Sequence, residues 1–308
     1  MTLDPLSSPS SPPILLRGIA RSFRSRRVLG ALDLDVQQGE IYALLGENGA
    51  GKTTLMQILL GLLEASAGEA RLLGRCSNRL TPQILTRVAY VTQDQEWPLG
   101  ATLDRLASQL APLYPAWDDE LYQRLCRRFD LSTGQRLERQ SRGQQARARL
   151  TLSLAYRPEV VIMDEPFSGL DPRVRHDVID GLLELTEQES WTFLVSTHET
   201  TLAERLADRI GVLHGGRIVL DRRMDELLQT VRQIDLELES KAPSRRAAES
   251  WRLVRSKGHR VSFVDLNYRA PDESAAREHY RYFFPRMKRM TSSPATLEQV
   301  WLAASETD

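Results

Sequence analysis

The sequence predicts an α/β fold with a mainly parallel sheet over residues 14–230, and three observations support this prediction. Short apolar runs of strand length alternate with segments of helical period, as in strands joined by crossover helices. No apolar run approaches the roughly 18 residues that a membrane span needs. The 308 residues, 41% hydrophobic and 27% charged, suit a globular protein with one large domain and a smaller one.

Five apolar runs are candidate strands and six segments are candidate helices. The strands are predicted at 41–45, 88–91, 160–163, 191–196 and 210–213, and the helices near residues 53, 102, 118, 143, 172 and 200. Asp171 before Pro172 marks a helix start, because Asp caps a first turn and proline suits the first helical position. Residues 94–142 are nearly all helical in period, which predicts a helical insertion between strands.

The two ends of the chain differ from this region. Residues 1–13 are rich in proline and serine and predict a disordered tail, not a secretory signal. From residue 231 onward, strands are predicted at 234–238 and 260–264, and helices near 247–255, 273–282 and 296–304. These elements predict a small α+β accessory domain over residues 231–308. The two cysteines, Cys76 and Cys126, form no metal or disulfide pattern and indicate a reducing, cytosolic compartment.

A phosphate-binding loop follows the first of the predicted strands. Residues 46–53 read GENGAGKT and fit the pattern G-x-x-x-x-G-K-[ST]. Its glycines let backbone N–H groups turn inward, and the helix that follows points its positive end at the phosphates. Lys52 would reach the β- and γ-phosphates, and Thr53 would hold Mg²⁺. The predicted nucleotide-binding residues of this loop are Asn48, Gly49, Ala50, Gly51, Lys52, Thr53 and Thr54.

Two adjacent carboxylates follow the predicted strand at 160–163. The strand brings Asp164 and Glu165 to the carboxyl edge of the sheet, where ligands of open α/β folds bind. We expect Asp164 to orient Mg²⁺ and Glu165 to polarise an attacking water as general base. An apolar strand that ends in Asp-Glu is weak evidence alone. Together with the phosphate loop it predicts a nucleotide-hydrolysing site.

These motifs resemble, in order and spacing, the ATPase subunits of ABC transporters, and the resemblance covers residues 14–230. It implies that Phe23 stacks on adenine, with Tyr42 as a second candidate. Gln93 resembles the Q-loop glutamine, a contact of Mg²⁺ and of the attacking water and therefore a catalytic and metal-binding candidate. Asp171 lies in a segment similar to the D-loop, and His198 resembles the switch histidine that contacts the γ-phosphate.

The signature of this family is altered here. The family has Leu-Ser-Gly-Gly-Gln, and residues 140–144 read QSRGQ. Ser141, Gly143 and Gln144 are retained, so a hydroxyl, a close backbone approach and a helix N-terminus can still face a γ-phosphate. The first and third positions differ. Arg142, at the third, either adds a cation near the phosphate or points to solvent, and a weaker or asymmetric ATPase site is one consequence to test.

The resemblance implies an ABC-type P-loop NTPase fold with a helical subdomain at about 94–142. It also implies an ATPase that binds ATP and Mg²⁺ between two subunits arranged head to tail, either two copies of this chain or one copy with a close relative. A separate multi-span permease would be the membrane partner. The ATPase would then be peripheral, on the cytoplasmic face of the inner (cell) membrane, where Trp97 either lines a groove for the permease or only packs locally.

Within the family, the chain resembles bacterial exporters of drugs and antibiotics that have a separate permease. The altered signature, residues 113–118 and the ending at 296–301 carry this resemblance, which names no substrate. A single phosphate loop differs from the soluble translation-type proteins. The spacing of about 90 residues between Lys52 and Ser141 leaves no room for the long coiled coil of DNA-repair relatives.

The formal charge of zero conceals a basic segment. Residues 241–290 carry 13 Lys or Arg against 5 Asp or Glu, residues 1–240 carry 28 against 33, and residues 291–308 carry 0 against 3. The alternative function is therefore a soluble regulatory or nucleic-acid-associated ATPase whose basic, aromatic-rich C-terminal part binds RNA or DNA. The aromatic spacing fits a domain core better, so we expect the basic segment to face the partner's acidic surface or the anionic inner leaflet.

Overall fold

The computed structural model describes residues 11–92, 96–186, 190–240, 248 and 250–306. The chain forms two compact units, of which the first comprises Met1–His198 and Leu213–Ile218 and the second Glu199–Val212 and Val219–Asp308. The disorder predicted for 1–13 falls outside the described residues as far as residue 10, and Gln93 also lies outside them. The predicted domain boundary at 230–231 stays a prediction.

The first unit contains two sheets and six helices among its described residues. Its elements in chain order are β1 (Ile14–Phe23), β2 (Arg26–Val36), β3 (Ile41–Leu45), α1 (Lys52–Leu59), β4 (Ala67–Leu72), β5 (Arg75–Cys76), α2 (Pro82–Leu85), β6 (Val88–Thr92), α3 (Leu103–Leu110), α4 (Asp119–Arg128), α5 (Arg142–Leu154), β7 (Val160–Asp164), α6 (Pro172–Thr186) and β8 (Thr192–Thr197).

A parallel sheet in the order β3, β8, β7, β6 positions the candidate site. Strands β3, β7 and β8 are buried along their whole length, as expected for parallel strands covered on both faces. These strands lie within one residue of the predicted ones. Because all four run the same way, the residues at their carboxyl ends meet at one edge.

An antiparallel sheet in the order β2, β1, β4, β5 was not predicted. Register shifts interrupt the pairing of β1 with β2 and with β4. The irregular pairing breaks the alternation by which a half-buried strand is recognised in a sequence. The sheet packs its apolar face, with Ile14, Leu16 and Leu34, into the same core as α1.

Residues 96–142 contain α3 and α4, and both begin directly after the predicted starting positions, residues 102 and 118. The side chain of Thr102 accepts a hydrogen bond from the Arg105 N–H at 3.3 Å, and that of Asp118 accepts one from the Leu121 N–H at 2.8 Å. The Leu121 N–H and the Arg157 guanidinium hold the pKa of Asp118 below its usual value. Short polar side chains at these positions therefore set where each helix starts.

The second unit has an antiparallel sheet in the order β12, β13, β11, β14. Its elements are α7 (Thr200–Leu206), β9 (Arg209–His214), β10 (Arg217–Arg223), α8 (Met224–Thr230), β11 (Arg232–Leu238), β12 (Trp251–Lys257), β13 (Arg260–Asp265), α9 (Glu273–Phe283), β14 (Met287–Pro294) and α10 (Leu297–Ser305). The turn between β9 and β10 belongs to the first unit. Within the described ranges, no helix is both long and apolar enough to cross a bilayer.

The helix predicted at 247–255 is wrong, because residues 251–257 form strand β12; residues 247 and 249 lie outside the described part. Trp251 stacks on Phe263 of the neighbouring strand with ring centroids 4.3 Å apart. This packing across the sheet overrides a local composition that favours helix. Strand β14 was also missed.

Most of the aromatic side chains considered for base stacking pack in or against the core of this unit. Trp251, Tyr280 and Phe284 are at most 5% exposed, and Tyr268 and Phe283 are partly buried against the core, whereas Tyr282 is 82% exposed. The buried rings cannot stack on bases without unfolding the unit, which weakens the nucleic-acid alternative and leaves it Tyr282 among these side chains. The basic side chains Arg255, Lys257, Arg260 and Arg289 are exposed on the opposite face of the sheet, beside Asp235 and Glu237.

Candidate nucleotide-binding site

The phosphate loop, residues 46–53, joins β3 to α1. Gly49 and Gly51 have φ values of 84° and 109°, which lie in the region that favours glycine. A Cβ on Gly51 would also lie 2.7 Å from Leu29 Cδ2, so a side chain has no room. The loop therefore delivers the chain into α1 at Lys52, and the N–H groups of the first turn, which have no intrahelical partner, point toward the loop.

The Lys52 side chain is only 5% exposed, and its ammonium group contacts three oxygen atoms. Its Nζ donates to the carbonyls of Gly46 at 2.6 Å and Glu47 at 3.2 Å. It also forms an ion pair of 3.0 Å with Glu165 Oε1. A buried ammonium needs such partners. The predicted phosphate ligand and the predicted general base are thus in direct contact.

Glu165 is held between two predicted site residues. Its Oε1 contacts Lys52, and its Oε2 lies 2.9 Å from Nδ1 of His198. Its φ of 48° lies in the left-handed region, which costs a non-glycine residue about 1–3 kcal/mol and occurs preferentially at active sites. The structure therefore brings Glu165 and His198 together.

Asp164 ends β7 beside a residue that the sequence analysis missed. Asp164 is 7% exposed, and its Oδ1 accepts a hydrogen bond of 2.5 Å from Ser196 Oγ. Ser196 is fully buried in β8 and pairs in register with Asp164. The sequence could have indicated Ser196 by its position, because it lies near the end of a predicted strand and two residues before His198.

A neighbouring tyrosine does not compete as a base. Tyr90 lies on β6, next to β7, and burial, with a smaller contribution from the Asp164 charge, raises the pKa of Tyr90 to about 12. The phenol is therefore protonated at neutral pH and can donate a proton but not accept one. Glu165 stays the predicted general base.

A cavity of about 400 Å³ lies over the phosphate loop. Phe23, at the end of β1, is 43% exposed at this cavity, and the Arg21 guanidinium lies 4.6 Å from the centre of its ring. Tyr42, the second candidate for adenine stacking, is fully buried and has no exposed face to offer. Most of the predicted binding residues line the cavity, which is formed by Phe23, Arg26, Val28, Glu47, Asn48, Gly49, Gly51, Lys52, Thr53, Thr54 and Glu165.

The signature residues do not line this cavity in the described structure, and neither does Asp171. Ser141 caps α5, with its Oγ accepting from the Gln144 N–H at 3.2 Å and its own N–H donating to Gln144 Oε1 at 3.1 Å. Gln140 is 7% exposed and donates to the Ser132 carbonyl at 3.2 Å, so this departure from the family pattern has a structural role. Arg142 is exposed.

Gly143 is needed for the close packing of α5 on α6. A Cβ at this position would lie 2.6 Å from Cγ1 of Val174. We expect Gly143→Ala to cost about 1–3 kcal/mol of stability through overpacking and to lower ATP turnover by displacing the signature. Turnover and urea denaturation measure both effects. The double variant Gly143→Ala/Val174→Ala should recover most of the loss, and no recovery would show that the contact with Val174 is not the cause.

Comparison with known proteins identifies the family of this chain. Residues 29–168 match the family model described as ABC transporter. The chain is 35% identical over 226 residues to the daunorubicin resistance ATP-binding protein DrrA3 of Streptomyces coeruleorubidus, covering 70% of this chain and 69% of that protein. This chain belongs to the ABC transporter family. It is therefore an ATP-binding subunit of the ABC type, and the predicted α/β P-loop fold and ATPase activity are confirmed.

Two further comparisons describe the extent of the ABC similarity. The chain is 34% identical over 215 residues to the phosphonates import ATP-binding protein PhnC 1 of Natronomonas pharaonis, covering 67% of this chain and 91% of that protein. A solved structure of an ATP binding subunit of an ABC transporter superposes with a TM-score of 0.63 at 26% identity, over 70% of this chain and 92% of that one. ABC subunits of this kind form dimers and work with membrane permeases.

Proposed function

We propose that this ABC subunit hydrolyses ATP with Glu165 as general base and that the hydrolysis drives export through a separate multi-span permease. The observation that carries the proposal is the position of the Glu165 carboxylate, at the edge of the cavity between Lys52 Nζ and His198 Nδ1. One group there can accept a proton while a cation and an imidazole beside it contact the γ-phosphate.

The other residues of the cavity bind the nucleotide in this proposal. Phe23 stacks on adenine, and the loop residues, together with Thr54 at the start of α1, surround the phosphates. Gln93, which lies outside the described residues, contacts Mg²⁺ and the attacking water by resemblance alone. The role of Phe23 is likewise the one that the resemblance implies, whereas the roles of the loop residues also follow from their position at the start of α1.

Mg²⁺ fits the donor set that the site offers. Within the described ranges, no group of three or more His, Cys, Asp or Glu side chains is arranged so that it could hold a metal ion by itself. Mg²⁺ in nucleotide sites needs none, since it binds through one or two protein oxygens, substrate phosphates and water. The Thr53 hydroxyl at the cavity and the Asp164 carboxylate at the end of β7 would hold it, and the ion would neutralise phosphate charge.

Two subunits are needed to complete each site in this proposal. Ser141, Gly143, Gln144 and Asp171 lie away from the cavity of their own chain, and the exposed N-terminus of α5 is suited to an anion. We infer that a second copy or a close relative provides these residues head to tail. Binding of ATP would then close the dimer, and hydrolysis would open it.

The direction of transport is inferred from the parts of the relatives that lie outside the matched region. The importer PhnC 1 is matched over 91% of its length, whereas DrrA3 is matched over 69%, so about a third of DrrA3 lies outside the match. This chain also has a C-terminal unit beyond the match. That shared arrangement favours the resistance-type architecture, with the subunit peripheral to the cytoplasmic face of the inner membrane.

A groove of about 530 Å³ in the first unit suits the permease contact. Trp97 is half-buried there with the Arg149 guanidinium 5.3 Å from its ring, and Leu62 and Leu85 are exposed at the same groove. An apolar groove of this kind can receive a short helix of a partner. Both functions considered for Trp97, packing and lining the groove, are therefore compatible with its position.

Purified full-length chain should release phosphate from ATP in the presence of Mg²⁺ and should lose this activity when EDTA is added, because the ion neutralises the phosphates. The chain should also co-purify with a multi-span protein encoded in an adjacent reading frame. Turnover that persists unchanged in EDTA would contradict the Mg²⁺ assignment. Failure to associate with any such membrane protein when the two are produced together would contradict the transport assignment.

A further inference from the structure

Ser196 connects the two carboxylate residues of the site through one hydroxyl group. Its Oγ donates to Asp164 Oδ1 at 2.5 Å and accepts from the Glu165 backbone N–H at 3.0 Å. The Ser196 carbonyl lies 3.3 Å from the same Glu165 N–H. A hydroxyl can donate once and accept twice, so this group serves both neighbours at the same time.

These contacts act where the chain leaves β7. Glu165 has the left-handed φ of 48° and therefore needs its surroundings to hold it there. The register of β7 with β8 ends with Asp164 opposite Ser196, and beyond it the Glu165 N–H still contacts the Ser196 backbone carbonyl at 3.3 Å. The Ser196 hydroxyl adds a shorter contact of 3.0 Å to the same N–H, and this is the contact that a substitution at Ser196 can remove.

We propose that Ser196 is a positioning residue for hydrolysis: its hydroxyl fixes the Glu165 backbone, and hence the direction of the Glu165 carboxylate, while keeping one Asp164 oxygen occupied. The other Asp164 oxygen would then be the one available to Mg²⁺. Ser196 does not touch the cavity that receives ATP. This inference rests on the proposed role of Glu165 as general base.

The geometry predicts a separation of turnover from binding. The expected contacts to phosphate come from the loop and α1, which Ser196 does not touch. Ser196 contacts the backbone of Glu165, the proposed base, so its loss should affect the chemical step. Loss of a partner that orients a site residue typically costs 10–100-fold in activity. We therefore expect Ser196→Ala to lower kcat by about 10–100-fold and to leave the Kd for ATP within about twofold.

The experiment uses the full-length chain and three variants, and it measures both the turnover of ATP and the affinity for ATP. Phosphate release gives kcat and KM, and a fluorescent ATP analogue gives Kd. Ser196→Thr keeps the hydroxyl and should restore most of kcat. Ser77→Ala is the matched control, because Ser77 is also buried and donates to a backbone carbonyl, that of Leu59, at 2.7 Å but lies outside the cavity.

The outcomes separate this inference from the proposed function. A Ser196→Ala variant with kcat within twofold of the unmodified chain overturns the positioning role, as does an equal loss in Ser77→Ala. A parallel loss of kcat and ATP binding in Ser196→Ala, with no recovery in Ser196→Thr, indicates a structural role and also overturns it. If Glu165→Gln retains turnover, the proposed base is wrong, whatever the Ser196 variants do.

Discussion

Replacing Glu165 with Gln is expected to lower ATP turnover by about 10³-fold, within the usual range for loss of a general base. The amide keeps the shape of the side chain but cannot accept a proton from water. It also removes the negative charge that contacts Lys52 Nζ at 3.0 Å, so this ammonium loses a competitor for phosphate. We therefore expect ATP binding to be retained or tightened, and the ATP-bound dimer to accumulate.

Phosphate release, binding of a fluorescent ATP analogue and size-exclusion chromatography with and without ATP measure these effects. Glu159→Gln is the matched control, since Glu159 directly precedes β7, is half-exposed and pairs only at the surface with Arg87. That variant should turn over ATP normally. Turnover in Glu165→Gln within tenfold of the unmodified chain would remove Glu165 from the role of base.

Lys52→Ala is expected to weaken ATP binding by at least about 10²-fold. The ammonium is buried and preorganised by the carbonyls of Gly46 and Glu47, so a phosphate meets a fixed charge. A charge-assisted contact of this kind contributes about 3 kcal/mol, which corresponds to about a hundredfold in Kd. The variant also leaves the Glu165 carboxylate without its cation, and the resulting repulsion of phosphate adds to the loss.

Equilibrium binding of the same fluorescent analogue tests this expectation. Lys257→Ala is a suitable control because Lys257 is an exposed residue of β12 in the second unit. Its loss should leave the Kd for ATP unchanged. Tight ATP binding by Lys52→Ala, with Kd within threefold, would show that the loop does not bind phosphate through this lysine.

Several parts of the fold were predictable because their signals are local. The apolar run at Ile41–Leu45 and the glycine pattern after it predict both the strand and the loop, and the observed strand has the predicted bounds. Thr102, Asp118 and Ser141 each satisfy N–H groups of the turn that follows, so the helix starts could be predicted from single residues. The ATPase function could be predicted because the phosphate loop, the Asp-Glu pair and the switch histidine occur in the order typical of the ABC family.

Other elements depend on contacts that are distant in sequence. Strand β12 was predicted as a helix, since its pairing with β13 and the stacking of Trp251 on Phe263 decide its conformation. The exposure of Phe23 and the burial of Tyr42 are also set by packing, and both residues are equally aromatic in the sequence. Local patterns contain no information about which neighbour a side chain will meet.

The sequence by itself determined the residue types of this site and the edge of the sheet at which they gather, because period, caps and glycine spacing act over a few residues. Only the tertiary structure decided which of them touch. It placed Glu165 between Lys52 and His198, and it brought Ser196 of β8 against Asp164 of β7, 32 residues away in the chain. The physical reason is that parallel strands align distant segments in register, and the register decides which side chains meet.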